Sequence, residues 1–284
     1  MSAEGPIVRR ALGAGRWFPG DRAELRRLVE QYLDDAQVPA LPGTLVGGIA
    51  PHAGYVYSGA VAGHTFRALR DRAAAGAGPE TLVILGFSHR QAFQGVALMD
   101  GEALATPLGE APLDVEATEF LADRCAGAGR DYAPHAWEHS AENEVPFAQV
   151  AVPGARLVVA LMGDREPATV ACLARALDEL AAERPLAVVA SSDMLHDPHY
   201  ELVTRTDRHT LEQVVALDAD GLRRAWSPSR QVFCGLAPVL TVMAFARARG
   251  VRKGTLLAYR NSGDDFPESR GEWVVGYGAV GFAA

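Results

Sequence analysis

Cysteine is scarce in this chain. The three thiols, Cys125, Cys172 and Cys234, are unevenly spaced over 284 residues and form no C-x-x-C pair, so neither a disulfide framework nor a structural zinc cluster is suggested. A reducing compartment is the expectation. Basic charge in excess is missing as well: 27 Lys and Arg against 35 Asp and Glu leave a net charge of −8, which argues against nucleic acid or an anionic membrane surface as a partner. No run of eighteen apolar residues occurs, and Arg9 and Arg10 precede no apolar h-region. Neither a membrane span nor a signal peptide is expected, and the expected location is cytoplasmic. Linkers, internal repeats and low-complexity segments are absent too, so residues 1–284 read as one domain.

What is present is alternation. Asp21 and Glu24 have capping-box spacing, and Leu25, Leu28, Val29, Tyr32 and Leu33 recur at helical intervals, which predicts an amphipathic helix over 22–35. Continuous apolar runs at 45–50, 81–85, 156–162 and 186–190 read as buried strands. Helical spacing at 115–124, 168–183, 206–226 and 236–249 alternates with them, and 256–259 and 273–282 read as the last strands. Residues 91–114 alternate weakly and fit short antiparallel strands or a loop excursion equally. The pattern predicts an α/β domain with a central, mostly parallel or mixed sheet and helices on both faces.

Polar residues gather where the strands end. Pro51 has no N–H for a strand ladder, so the first run should stop there and leave His52 facing outwards. Gly54 and Gly59 loosen the turn, and Ser58 is placed to cap a helix from Gly59 to about Leu69. The second run ends at Ser88-His89 and the fourth at Ser192-Asp193-Met194-Leu195-His196. Parallel strands would bring all of these to one rim, because ligands in open α/β sheets sit outside the carboxyl ends of the strands. Cys234, if it lies at a helix N-terminus, would have its thiolate favoured by the dipole. Two histidines with a cysteine or carboxylate make a three-ligand set that binds a transition metal and leaves positions open, and a further histidine can then move protons. His64, His135, His199 and His209 read as hydrogen-bonded bystanders, and Trp17-Phe18 as a pin for the N-terminus.

Ala50-Pro51-His52-Ala53-Gly54-Tyr55, Gly86-x-Ser88-His89, Glu138-His139-Ser140-x-Glu142, Ser191-Ser192-Asp193-x-x-His196, Cys234-Gly235-x-x-Pro238 and Asn261-Ser262-Gly263-Asp264 together resemble the MEMO family, over nearly the whole chain. Bacterial and archaeal members are named component B of the AmmeMemoRadiSam system, for their association with a second small protein and a radical-SAM enzyme. The resemblance implies a fold like that of the class III extradiol ring-cleaving dioxygenases, which hold Fe(II) with two His and one Glu. His52 and His89 match the two histidine positions, Cys234 stands where the family replaces the glutamate, and His196 matches the acid/base histidine, with Asp193 beside it. The chain departs from the pattern at Phe87, where proline or a small residue is common, at Glu144, where glutamine is usual, and at Asp197-Pro198, where an aromatic is common.

These readings lead to a metal-dependent, dioxygenase-like oxidoreductase acting on a small hydroxylated substrate. The metal, held by His52, His89 and Cys234, is expected to be Fe(II), with copper as the alternative and zinc third. His196 and Asp193 are the expected acid/base pair, with Tyr55, Ser88, Glu138, His139, Glu142 and Ser192 around the pocket. Two other readings use the same residues: a thiol hydrolase or transferase built on Cys234, and a non-catalytic cleft for a peptide or a partner protein.

Overall fold

Each apolar run forms a strand whose side chains alternate between two cores. The computed structural model describes residues 8–284, and the first seven residues of the expected 1–284 domain lie outside it. In chain order the strands are β1 (Val8–Arg10), β2 (Leu45–Ala50), β3 (Thr81–Phe87), β4 (Val96–Leu98), β5 (Ala103–Thr106), β6 (Gly109–Pro112), β7 (Ala128–Arg130), β8 (Arg156–Met162), β9 (Leu186–Ser191), β10 (His196–Asp197), β11 (Thr255–Asn261) and β12 (Val274–Ala283). The main helices are α1 (Arg22–Asp35), α2 (Tyr55–Arg72), α3 (Val115–Arg124), α4 (Val145–Ala151), α5 (Pro167–Glu183), α6 (Tyr200–Val215), α7 (Ala219–Ala225) and α8 (Leu236–Ala248).

The four buried runs are neighbours and run parallel, in the order β2-β9-β3-β8. Antiparallel strands extend both ends: β12 pairs with β2 and carries β10 and β11, while β4 pairs with β8 and carries β7. The result is one mixed sheet of nine strands. Val83, Leu85, Val158, Ala160, Val188 and Ala190 face the core made with α3, α5, α6 and α8. Leu82, Ile84, Leu157, Val159, Ala187 and Val189 face the opposite core, made with α1, α2 and α4. Period-two burial on both faces is what a helix-covered sheet requires. Residues 91–114 contain β4 and the β5–β6 hairpin, and β1 adds in parallel to β5 to make a second, three-stranded sheet.

Helix α1 spans 22–35 as its spacing requires, and Asp21 Oδ1 accepts the Glu24 N–H at 2.9 Å. Three local expectations change. The helix after His52 starts at Tyr55 rather than Gly59, and Ser58 lies inside it, donating to the Ala53 carbonyl. Gly59 serves packing there, since a Cβ at that position would run into the Tyr32 ring of α1. The helical stretch 206–226 breaks into α6 and α7 because Leu217 takes a left-handed φ of 56° and Asp218 caps the next helix through the Gly221 N–H. Cys125 and Cys172 also form a disulfide across α3 and α5, with Cα atoms 5.3 Å apart. Helix packing brings together two thiols that are 47 residues apart in sequence, which spacing rules cannot reveal. No helix among the described residues is long and apolar enough to cross a membrane.

Candidate metal centre

The parallel register builds the rim. Ala50 lies opposite Ser191 and Leu85 opposite Ala190, so the chain leaving β2, β9 and β3 emerges on one side within a few residues. His52 follows β2, Asp193 follows β9 and His89 follows β3. Cys234 comes from the other direction, just ahead of α8, and the segment after β9 grips it. The Cys234 N–H donates to the Asp193 carbonyl at 3.1 Å, the Gly235 N–H to Ser192 Oγ at 2.8 Å, and the Asp193 N–H to Cys234 Sγ at 3.2 Å. A helix does begin beside the thiol, as expected, with Gly235 at its N-cap.

His52, His89 and Cys234 each offer one donor atom, and these atoms lie within 4.8 Å of one another. His52 Nε2 is 3.7 Å from Cys234 Sγ. Two ligands at zinc-like bond lengths and a tetrahedral angle would stand about 3.6 Å apart. Each imidazole is held through its other nitrogen: His52 Nδ1 lies 2.9 Å from Ser191 Oγ, and His89 Nδ1 lies 2.9 Å from Glu138 Oε1. That leaves both Nε2 atoms for a cation, in the manner of metal-ligating histidines braced from behind. Two imidazoles and a thiolate suit a borderline or soft transition metal.

The electrostatics keep His52 and His139 neutral. Burial, then the neighbouring His89, lowers His52 to about 3, and burial with the charge of His52 lowers His139 to about 4. The Cys234 thiol is pushed up by burial and by the negative charge of Asp193, against the hydrogen bonds it accepts. Coordination to a cation would favour the thiolate instead, with the thiol proton leaving to solvent.

A second set, His89, Glu138 and His139, is also close enough to share an ion. Its carboxylate is already committed. Glu138 accepts the backbone N–H groups of His89 (2.6 Å), His139 (2.8 Å) and Ser140 (2.9 Å) besides the His89 ring. Burial alone would raise Glu138, but these bonds and the His89 ring bring it to about 2. Its place is behind His89. Gly86 lets this loop come close, because a Cβ there would meet Ser140 Oγ and the Ala141 nitrogen.

The remaining expected site residues divide. His139 is sandwiched between Trp17 (4.6 Å between ring centres) and His89 (4.8 Å), and lines the cleft with His52, Asp193 and His196. Asp193 Oδ1 accepts the backbone N–H groups of His52 and Ala53, at 2.8 and 3.2 Å. Burial raises its carboxyl, and the nearby His196 opposes this. His196 opens onto the cleft, yet the surrounding protein lowers its basicity and Asp193 works against that. Ser88 lines the cleft wall, and Ser192 holds the Cys234 segment. Tyr55 and Glu142 do not join them. Tyr55 is buried, donating to the Asn143 carbonyl, and Glu142 pairs with the buried Arg9 while accepting the Gly13 N–H at 2.6 Å. Both brace the loop from behind.

His64, His135, His199 and His209 lie outside the cleft, bonded or paired to Ala60, Ala97, Asp197 and Glu212. Phe18 is buried in the core as expected, but Trp17 faces the cleft. Sequence reasoning also missed Tyr57, Trp273, Tyr277 and Arg165 as cleft residues. Arg165 had a usable signal, three residues past the end of the apolar run at 156–162. Phe87 forms cleft wall, its ring 4.1 Å from that of His89.

A family model described as Memo-like protein matches residues 9–281. The chain is 35% identical over 282 residues to a MEMO1 family protein of Methanopyrus kandleri, covering 95% of this chain and 96% of that one. It is 33% identical over 287 residues to a MEMO1 family protein of Ignicoccus hospitalis, covering 97% and 99%. Among solved structures, an uncharacterized protein of Escherichia coli K12 is similar with a TM-score of 0.46 and 14% identity, over 76% of this chain and 91% of that one.

Proposed function

Because the chain belongs to the Memo-like protein family, we propose that His52, His89 and Cys234 hold a transition metal in an oxidoreductase of dioxygenase type, acting in the cytoplasm on a small hydroxylated substrate. Fe(II) is the first candidate and copper, favoured by the thiolate, the second. The observation that carries this reading is the 3.7 Å approach of His52 Nε2 to Cys234 Sγ, with His89 in the same set and both imidazoles braced from behind. A bound metal with open positions would supply Lewis-acid activation of the substrate hydroxyl and a meeting point for dioxygen.

The protein's own groups do the rest. His196, neutral near pH 7 because its surroundings lower it, accepts the substrate proton, and the Asp193 charge favours the imidazolium that results. Glu138 keeps His89 in one tautomer and one orientation. The aromatic wall of Trp17, Tyr57, Trp273 and Tyr277 excludes water from the reacting end of the substrate.

The thiol-nucleophile reading, with His196 or His89 as the base, is weaker because burial raises Cys234 where an activated thiol needs the reverse. Metal analysis after anaerobic purification tests the proposal. Stoichiometric iron or copper in the wild type and its loss in His52→Ala are expected, and a wild type that takes up neither metal overturns it.

A further inference from the structure

The cleft has two lobes of different chemistry that share His89, His196 and Trp273. One, of about 470 Å³, is walled by Trp17, Tyr57, Trp273, Val275 and Tyr277. The other, of about 510 Å³, reaches Cys234 and is lined by Arg165, Ser88, Ser229 and Gln231, with no aspartate or glutamate. In a chain of net charge −8, an acid-free lobe with a guanidinium over it is a local reversal of sign.

Arg165 is held ready. Its guanidinium carbon lies 4.0 Å from the centre of the Trp226 ring, and Trp226 is itself fixed by its indole N–H on the Phe233 carbonyl at 3.1 Å. Stacking orients the guanidinium plane and leaves its edge donors free. The neighbouring Asp164 is otherwise engaged, with one oxygen on the Gly95 N–H at 2.6 Å and the other on the Glu166 N–H at 3.0 Å. Among the described residues no carboxylate stands within ion-pair distance of Arg165. Arg260, next to the Asn261-Ser262-Gly263-Asp264 motif, is by contrast paired with Asp265.

We propose that the lobe under Arg165 is an oxyanion subsite, and that the small molecule taken by this cleft has a flat apolar body and a carboxylate. The body lies along the Trp17–Tyr277 wall, the carboxylate takes the paired guanidinium N–H groups with Ser229 or Gln231 beside them, and the ligand passes the His52/His89/Cys234 cluster at the junction. Bidentate arginine–carboxylate pairing is the strong, directional form of this contact. The inference deepens the proposed function by naming its substrate class, and it rests on that reading only for what happens at the junction.

Calorimetric titration with benzoate, benzamide and inorganic phosphate, on metal-free and on anaerobic Fe(II)-loaded protein, tests it. Benzoate is expected to bind both forms, and benzamide at least tenfold more weakly. Arg165→Ala should lose tenfold or more in benzoate affinity and Arg165→Lys part of that, while iron affinity and melting temperature stay at the wild-type values. Equal benzoate affinity in Arg165→Ala, equal binding of benzamide, or no benzoate binding by the wild type overturns the proposal. Phosphate binding more tightly than benzoate, with the same dependence on Arg165, overturns the carboxylate assignment. Failure of the metal reading is separately visible, as a wild type that takes no iron yet binds benzoate through Arg165.

Discussion

The Oγ of Ser191 lies 2.9 Å from Nδ1 of His52, and this hydroxyl has one hydrogen for three partners. The others are the Ser140 carbonyl at 2.5 Å and Glu144 Oε1 at 2.8 Å. All three contacts are satisfied when Ser191 donates to the carbonyl, accepts from His52 Nδ1–H and accepts from a protonated Glu144. Burial holds Glu144 far above the usual carboxyl range, and the Asp193 charge adds to it. The arrangement fixes the His52 tautomer with Nε2 free. A glutamine amide, usual at this position in the family the sequence resembles, donates in the same way, so Glu144→Gln should keep the wild-type metal affinity. Ser191→Ala should lose roughly 10–100-fold, read by calorimetric metal titration. Unchanged affinity in Ser191→Ala would show that the relay does not position His52.

Arg9 carries the N-terminal strand into the loop behind the site. It pairs with Glu142 in the interior and donates to the His135 carbonyl (3.1 Å) and the Glu138 carbonyl (2.9 Å). Removing one partner of a buried pair strands the other, so Arg9→Ala should cost about 3–5 kcal/mol in urea unfolding. Arg9→Met combined with Glu142→Gln should recover part of that loss, since neither residue then leaves a buried charge. A cost below about 1 kcal/mol for Arg9→Ala would mean that the pair is solvated in solution.

Which parts of this were legible beforehand follows from the range of each interaction. The strands at 45–50 and 156–162 and the helices at 22–35 and 115–124 were readable because apolar period and capping chemistry are local. His52 and His89 were readable as neighbours because parallel strands converge on one rim whatever the sequence distance, whereas Cys234, which precedes α8, joined them through the family resemblance. Trp17 was misjudged because nothing local distinguishes a ring that packs inwards from one that stacks on His139. Glu142 was placed at the pocket because its neighbours Glu138 and His139 are there, but a 3-10 turn at Glu142–Glu144 directs it to Arg9. The Cys125–Cys172 pair needed the packing of α3 on α5.

Two buried groups away from the cleft should pull the pH dependence of stability in opposite directions. His135, 2% exposed and bonded to the Ala97 carbonyl, is lowered to about 4, chiefly by burial. Above its unfolded value of about 6.5 it contributes nothing adverse, and stability is lost as pH falls from there through 4. Asp207, bonded to the Leu195 N–H and the Tyr259 hydroxyl, is raised to about 7 by burial. Its contribution is fully present below about 4 and is lost as pH rises through 7. Asp207→Asn should therefore raise the melting temperature at pH 8 relative to wild type, by an amount corresponding to a few kcal/mol at most, with little change at pH 4. His135→Gln should flatten the acid side of the same profile. Parallel Tm-against-pH curves for Asp207→Asn and wild type would remove Asp207 from the account.

The disulfide links the end of α3 to α5 beneath the sheet and leaves Cys234 as the one free thiol. Denatured without reductant, the protein should titrate one thiol, and after dithiothreitol three. Closing a loop with a sequence separation of 47 removes unfolded-state entropy worth roughly 4 kcal/mol in the chain-entropy model, so Cys125→Ser with Cys172→Ser should unfold at lower urea concentration by up to that amount. Because neither residue lines the cleft, the same double variant should bind metal like the wild type. Three titratable thiols before reduction would mean that the two sulfurs pack without bonding, and a loss of metal affinity in the double variant would mean that α5 helps set the position of the strand ends carrying His89 and Arg165.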